Sequence, residues 1–313
     1  MKKRRIGSLE VSEVGVGCNN FGWRLDAAAT ALVVDAALDS GINFFDTADI
    51  YGKGTSEEYL GKALGPRRKQ VIVATKFGMA MDGERRGAKP VYMRQAAEDS
   101  LRRLGTDYID LYQLHQPDST TPIADTLGAL DQLVKEGKVR EIGCSNFSAD
   151  QIREAVGAAK LGYAGFESVQ NQYSLLHREP EDYVLPECER LVLAFLPYFP
   201  LANGLLTGKY RKGQPPPGGT RLAPGERHGG LLSDQNLSLV ESLIFYAEHK
   251  DRSLLELSIS WLASHVVVAS VIAGATKPEQ VRANARAAGW RMTEEEMNEI
   301  DTILTRFRLR KAS

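Results

Sequence analysis

Four polar side chains in the first 115 residues have the chemistry needed for proton transfer. They are Asp46, Tyr51, Lys76 and His115, and three of them end short apolar stretches: INFFD, VIVATK and YIDLYQLH. Tyr51 follows Asp46 by five residues in the loop DTADIYG. Because the carboxyl ends of parallel barrel strands surround one opening, residues far apart in sequence can meet there. An acid, a phenol, an ammonium and an imidazole at one opening could protonate a substrate.

The order of predicted elements favours such a barrel, because short apolar strands alternate with amphipathic helices. Strands are predicted near 14–17, 42–46, 71–75, 108–114, 140–144, 168–171, 192–197 and 268–272. Helices are predicted after each strand, near 28–40, 55–64, 91–104, 122–136, 148–160, 180–190, 253–264 and 277–288. The eight repeats predict an α/β fold, a (β/α)8 TIM barrel, as a single domain over residues 1–313.

Three segments outside these repeats predict additions to the barrel. The segment RRIGSLEVS near the start predicts an N-terminal β-hairpin, and two extra helices are expected near 235–249 and 293–305. Hydroxyl side chains mark several helix starts. The predicted N-caps are Thr55, Ser148 and Thr293. Loops 79–90 and 209–233 lack periodicity and follow strands, so we expect both at the barrel opening.

Composition limits the classes of function. The chain has 313 residues, of which 43% are hydrophobic and 25% charged, as in globular proteins with a large core. The formal net charge of −1 argues against nucleic-acid binding, which uses a concentrated basic surface. The KKRR cluster near the start lacks the apolar segment of a signal peptide, and no apolar stretch approaches the ~20 residues that span a bilayer. We therefore expect a cytoplasmic protein without nucleic-acid or membrane partners.

The cysteines indicate a reducing compartment. Cys18, Cys144 and Cys188 are widely spaced and include no CxxC pair, so neither a disulfide scaffold nor a zinc site is predicted. Cys144 stands between Gly143 and Ser145 at a predicted strand end. We interpret it as a small buried hydrophobe, with a reactive thiol as the alternative.

Common ligand and nucleophile motifs are not found. GLLTGKY has only three residues between its glycines and Tyr210 where a phosphate loop needs Ser or Thr, so it is rejected as a P-loop. Phe147 in GCSNF replaces the closing glycine of a nucleophile elbow. No HxH or HExxH spacing predicts a metal. The first strand is not followed by GxGxxG, so any nicotinamide cofactor must be held in another way.

Motifs along nearly the whole chain resemble the aldo-keto reductase family. They are GSLEVSEVGVGCNNFG, GINFFDTADIYG with SEEYLGKAL, VIVATKFG, SLRRLGTDYIDLYQLHQPD, GKVREIGCSNFS, QNQYSLLHR, PLANGLLTGKY and VIAGATKPEQVRANA. The resemblance implies an alcohol:NAD(P)+ oxidoreductase that interconverts a carbonyl and an alcohol on a (β/α)8 barrel without a metal.

The catalytic roles follow from the chemistry and from the resemblance together. Reducing a carbonyl places negative charge on its oxygen, and Tyr51 is the expected acid that protonates it. Lys76 is expected to lower the pKa of Tyr51 by favouring the phenolate. Asp46 should pair with Lys76 and keep it charged. His115 should hydrogen-bond the carbonyl oxygen. The alternative is that each side chain has an ordinary structural role.

The resemblance also implies the residues that hold the cofactor. They are Ser145, Asn146, Gln170, Tyr198, Pro200, Leu201, Asn203, Gly204, Gly274, Thr276, Lys277, Gln280 and Asn284. Many family members have cations at the positions of Gln280 and Gly274 that bind a 2′-phosphate, and both charges are missing here. Lys277 is either a replacement cation for the 2′-phosphate or a solvated helix-start lysine. The favoured cofactor is NADP(H), and NAD(H) is possible. Phe199 departs from the family, which often has Ser there.

The substrate is expected to be a small aldehyde or ketone, whose identity is set by loops. Phe21, Trp23 and Phe77 are the predicted pocket walls, beside Tyr51 and His115. A protein of another class remains open, an NADP(H)-binding redox-sensing regulatory subunit with incidental turnover. A metal-dependent barrel hydrolase would need a clustered set of His ligands, which five scattered histidines do not supply. We expect a monomer or a weak homo-oligomer.

Overall fold

The chain begins with an antiparallel hairpin in the computed structural model, which describes residues 1–223 and 229–309. Its strands are β1 (Lys3–Ile6) and β2 (Leu9–Ser12), in a register that pairs Ile6 with Leu9. The two-residue turn between them includes Gly7 at φ +52°, a conformation that glycine adopts without strain. A Cβ at Gly7 would also lie 2.8 Å from Glu141. The predicted hairpin is confirmed.

Eight parallel strands form the barrel wall. They are β3 (Val14–Gly17), β4 (Phe44–Asp46), β5 (Ile72–Phe77), β6 (Ile109–Leu114), β7 (Val139–Ser145), β8 (Phe166–Gln170), β9 (Ala194–Phe195) and β10 (Val271–Gly274). Neighbouring strands follow the order β10-β3-β4-β5-β6-β7-β8-β9. The two ends of this sheet meet, because Phe195 N–H donates to Val267 O at 2.8 Å and Ala269 N–H donates to Phe195 O at 2.9 Å. The predicted (β/α)8 barrel is confirmed.

Helices follow the strands and cover the outside of the sheet. They are α1 (Ala27–Asp39), α2 (Thr55–Leu64), α3 (Pro90–Leu104), α4 (Ile123–Lys135), α5 (Ala149–Ala159), α6 (Pro180–Leu191), α7 (Asp234–Glu248), α8 (Leu254–Ser264), α9 (Pro278–Ala287) and α10 (Glu294–Leu309). The predicted helices are confirmed to within a few residues at each end. The two extra helices are α7 and α10, joined by a hydrogen bond from Tyr246 Oη to Glu299 Oε2 at 2.7 Å. The long loop of 209–233 lies only partly within the described residues.

Two of the three predicted N-caps are confirmed and one is wrong. The Ser148 side chain caps α5, and the Thr293 hydroxyl accepts from Glu296 N–H at 3.2 Å at the start of α10. Thr55 is instead the first residue of α2, and Gly54, at φ +96°, is its N-cap. The reason is the left-handed turn Tyr51–Gly54, which leads directly into the helix and leaves no extended residue for a hydroxyl cap.

The barrel interior is apolar at one end and polar at the other. Ile6, Leu9 and Val11 of the hairpin pack against Phe44 and Leu111, and so close the amino ends of the strands. Cys144 is among the buried core residues, as predicted, and burial raises the pKa of its thiol well above the ordinary value. The polar side chains of the barrel interior lie at the carboxyl ends of the strands. In the described part of the chain, no helix is both long and apolar enough to cross a membrane.

Candidate active site

A buried ion pair lies at the centre of the carboxyl-end opening. Asp46 is the last residue of β4, and Lys76 lies on the neighbouring strand β5. Lys76 Nζ donates to Asp46 Oδ2 at 2.6 Å and to Thr47 O at 2.7 Å. Gln170 Nε2 donates to the other carboxylate oxygen of Asp46 at 2.9 Å. Burial lowers the pKa of Lys76, but Asp46 and then Tyr51 outweigh it, so the pKa ends above its ordinary value and the ammonium stays charged.

Tyr51 follows β4 after the short loop 47–50, and its ring lies over this pair. Its ring centroid lies 5.2 Å from Lys76 Nζ and 5.8 Å from the His115 ring, which it meets edge-on. Burial raises the pKa of the Tyr51 phenol, and the charge of Lys76 offsets only part of this rise. The net pKa is therefore above the ordinary value, contrary to the expected fall. The phenol keeps its proton at neutral pH, which is the form that an acid requires.

His115 follows β6 directly, and its backbone N–H donates to Phe77 O at 2.8 Å. The residue is 7% exposed. Burial, followed by the charge of Lys76, lowers the pKa of His115 to about 3. The imidazole is therefore neutral at neutral pH and can donate one hydrogen bond. Its Nδ1 atom is buried and has no hydrogen-bond partner among the described residues.

Four of the predicted cofactor residues form one hydrogen-bonded group beside the catalytic residues. Asn146 Nδ2 donates to His115 O at 2.9 Å, and Tyr198 Oη donates to Asn146 Oδ1 at 2.8 Å. Ser145 Oγ donates to Gln170 O at 2.7 Å. Asn146 has φ +63°, a left-handed conformation that Asn tolerates better than most residues. These bonds fix the direction of each amide and hydroxyl at the ends of β7 and β8.

A cavity of 1010 Å³ runs from this group to the start of α9. Asp46, Tyr51 and His115 line it, whereas Lys76 lies behind the wall without exposed surface. All thirteen predicted cofactor residues also line it. They are Ser145, Asn146, Gln170, Tyr198, Pro200, Leu201, Asn203, Gly204, Gly274, Thr276, Lys277, Gln280 and Asn284. The structure therefore brings the predicted catalytic and cofactor residues to one cavity.

The far end of the cavity is formed by the β10–α9 loop. Gln280 Oε1 accepts from Thr276 N–H at 2.7 Å and from Thr276 Oγ1 at 3.2 Å, so this amide folds back over the loop. Asn284 is buried one turn further along α9. Lys277 is the N-cap residue and is exposed. The helix N-terminus and the Lys277 ammonium both favour a bound anion here.

Sequence reasoning missed two cations that line the same cavity. Lys209 and Arg221 line the cavity, and burial lowers the pKa of both, with Arg221 adding to the effect on Lys209. Arg221 donates to Asn20 Oδ1 at 2.5 Å and to Asn203 Oδ1 at 3.4 Å. Neither cation forms an ion pair within residues 1–223 and 229–309. Lys209 belongs to the rejected GLLTGKY motif, and Arg221 lies in the loop without periodicity, where no sequence signal could have identified it.

The structure does not place the three predicted aromatic walls in the cavity. Phe21 and Phe77 have no exposed surface, and Phe77 stacks on Tyr112 inside the protein at 4.8 Å. Trp23 is 65% exposed and does not line the cavity. The prediction that these three residues form the pocket walls is therefore wrong, because two side chains point into the core and the third into solvent. The cavity is also lined by Arg24, Met79 and Gln116.

The donor set fits a nicotinamide dinucleotide. Cations and a helix N-terminus at one end suit phosphates, and fixed amides at the other suit a carboxamide. Tyr51 and His115 line the same cavity, and their neutral phenol and imidazole are groups that can donate hydrogen bonds to a substrate oxygen. Within the described residues, no group of three or more His, Cys, Asp or Glu side chains could hold a metal ion. A long cavity with a helix N-terminus and cations at one end, and a phenol and an imidazole at the other, suits a barrel oxidoreductase.

Comparison with known proteins identifies the family. The model of the Aldo/keto reductase family matches residues 13–305, and the chain belongs to this family. It is 36% identical over 310 residues to the uncharacterized oxidoreductase YqkF of Bacillus subtilis, covering 96% of each chain. It is also 36% identical over 300 residues to a probable voltage-gated potassium channel subunit beta of Oryza sativa, covering 92% of this chain and 91% of the relative.

A solved structure gives the same result for the fold. The glycerol dehydrogenase AKR11B4 from Gluconobacter oxydans superposes with a TM-score of 0.84 and is 31% identical. The match covers 97% of this chain and 95% of that one. An oxidoreductase role and a nicotinamide cofactor follow from the family.

Proposed function

We propose that this protein reduces a small aldehyde or ketone to the alcohol with NADPH or NADH, with Tyr51 as the proton donor. One observation carries the proposal: a neutral phenol lies over the Lys76 ammonium and against a neutral His115 at the inner end of a cavity for a dinucleotide. A proton donor, a stabilising cation and a hydrogen-bond donor are the three groups that carbonyl reduction needs.

The side chains divide the work of the reaction. The bound cofactor supplies a hydride to the carbonyl carbon. His115, neutral because its pKa is low, donates a hydrogen bond to the carbonyl oxygen and orients it towards Tyr51. Tyr51 releases its proton as negative charge develops on that oxygen, and Lys76 stabilises the resulting phenolate. Asp46 keeps the ammonium charged and directed, since its carboxylate lies 2.6 Å from Lys76 Nζ.

The test is a panel of carbonyl compounds with each reduced cofactor, followed at the nicotinamide absorbance. The likeness to a glycerol dehydrogenase places short hydroxylated aldehydes first in the panel. We expect steady cofactor oxidation with at least one aldehyde or ketone and formation of the matching alcohol. Tight cofactor binding without turnover on the whole panel would contradict the proposal.

The potassium channel relative supports a second candidate, a cofactor-binding regulatory subunit with incidental turnover. This candidate uses the same cavity, but it predicts a binding partner whose behaviour depends on the redox state of the cofactor. The two candidates differ in turnover number. A rate near the ~10 s⁻¹ that is typical of enzymes favours the reductase, and a rate several orders of magnitude lower on every substrate favours the subunit.

The choice between NADPH and NADH is proposed to depend on Lys277. Gln280 and Gly274 carry no charge, so Lys277 is the cation nearest the start of α9 that can meet a 2′-phosphate. Replacing Lys277 with Ala should raise the KM for NADPH more than that for NADH, by an amount equivalent to roughly 1–3 kcal/mol for a charge-assisted hydrogen bond. Lys160→Ala, at an exposed lysine that ends α5, is the matched control. Equal effects on the two cofactors would place Lys277 in solvent.

A further inference from the structure

A second carboxyl group, Asp49, lies in the short loop between Asp46 and Tyr51. It is 2% exposed, and its backbone N–H donates to Lys76 O at 3.1 Å. One carboxylate oxygen accepts from Tyr92 Oη on α3 at 3.4 Å, and the other has no partner among the described residues. The loop that carries Tyr51 is thus attached to the protein interior through a buried side chain that has no role in the proposed reaction.

A second buried carboxyl group, that of Glu57, lies near Asp49. Glu57 of α2 is buried nearby and pairs with Arg103 of α3, whose Nε lies 2.6 Å from Glu57 Oε2. Thr75 of β5 donates to the other oxygen of Glu57 at 2.5 Å. The Arg103 guanidinium is therefore paired with Glu57, and Asp49 has no ion pair among the described residues. Burial, followed by the charge of Glu57, raises the pKa of Asp49 to about 7, while Ile50 N–H and Arg103 oppose the rise.

Other titratable groups around Asp49 keep a fixed charge near neutrality. Tyr92 on α3 and Tyr112 on β6 have pKa values raised by burial, so both phenols are neutral. Lys76 on β5 remains charged because its pKa is raised by Asp46. Asp49 is therefore the group of this cluster whose own charge changes near neutral pH.

We infer that Asp49 is a positioning residue for Tyr51, whose ionised carboxylate, held by Tyr92 Oη, fixes the loop 47–51 over Lys76. The inference rests on the proposed reductase function. An ionised carboxylate accepts hydrogen bonds about twice as strongly as a neutral acceptor. Protonation of Asp49 weakens its bond to Tyr92, and the backbone bond from Asp49 N–H to Lys76 O is then the remaining attachment of this residue, two positions before Tyr51. The phenol is then less firmly held against Lys76 and His115, and fewer bound substrates meet it in the reactive geometry.

The ionisation is tested without turnover by thermal unfolding of Asp49→Asn. An Asp whose pKa is raised on folding contributes stability that is present below its unfolded pKa and lost as pH rises through its folded pKa. The wild-type unfolding temperature should therefore fall between pH 6 and pH 8. The Asn variant should lack this contribution to the fall. The unfolding temperature of the variant minus that of the wild type should therefore be about 2 °C larger at pH 8 than at pH 6. Asp35→Asn, at a half-exposed carboxylate on α1, is the control and should show a constant difference.

The positioning role is tested by the pH profile of kcat. Wild-type kcat should rise about fivefold between pH 6 and pH 8, because a charged acceptor forms a stronger hydrogen bond than a neutral one. The kcat of Asp49→Asn should not change over this range. Tyr92→Phe should move the rise to higher pH, and neither variant should change the KM for cofactor. An active wild type with the same profile in Asp49→Asn would overturn the inference alone. Absence of wild-type turnover on the panel would overturn both it and the proposed function.

Discussion

Replacing Tyr51 with Phe should abolish carbonyl reduction while leaving the fold and the cofactor affinity nearly intact. Phe retains the ring that meets His115 edge-on and lies over Lys76, so little packing is lost. It lacks the hydroxyl that carries the transferable proton. General acid catalysis contributes ~10²–10⁴-fold, and we expect a loss of kcat at or above this range. The measurements are kcat on the best substrate of the panel and the cofactor Kd by fluorescence titration.

The control for this variant is Tyr183→Phe, which removes a hydroxyl from an exposed tyrosine on α6. It should keep the wild-type rate. A Tyr51→Phe protein that retains most of its activity would remove Tyr51 from the mechanism and leave His115 as the group to test next. A loss of cofactor binding in the same variant would instead indicate a collapsed cavity.

Most of the site could be predicted because it depends on strand ends. Asp46, Lys76 and His115 stand at or next to the carboxyl ends of β4, β5 and β6, and the parallel register brings them together wherever the loops go. The cofactor residues follow the same rule at β7, β8 and β10. Periodicity of apolar residues predicts strands and helices, and therefore also predicts what lies at their ends.

The remainder depends on the path of individual loops, which no periodic pattern encodes. Phe77 directly follows Lys76 in sequence, yet its side chain points into the core, as does that of Phe21. Arg221 reaches the cavity only because its loop folds back to Asn20, 201 residues away. The pKa of Tyr51 was expected to fall because Lys76 is its neighbour, but burial of the phenol has the larger effect and depends on the complete packed structure.

The second large effect is expected at Lys76. Replacing it with Met keeps a long unbranched side chain but removes the charge that lies 5.2 Å from the Tyr51 ring. Since that charge offsets part of the rise in the pKa of Tyr51, the pKa should rise further and the basic limb of the reductive pH profile should move to higher pH. Loss of a charge that stabilises the transition state costs about 10²–10³-fold in kcat, measured across pH 6 to 10.

Stability must be separated from catalysis in this variant, because Lys76→Met leaves the Asp46 carboxylate buried without its ammonium. Breaking a buried ion pair in this way costs about 3–5 kcal/mol. The double variant Asp46→Asn with Lys76→Met removes the stranded charge, so it should recover much of the unfolding temperature while kcat stays low. If kcat instead recovers together with stability, Lys76 serves the fold alone. A wild-type pH profile in Lys76→Met would lead to the same conclusion, since a cation that tunes Tyr51 cannot be removed without moving its titration.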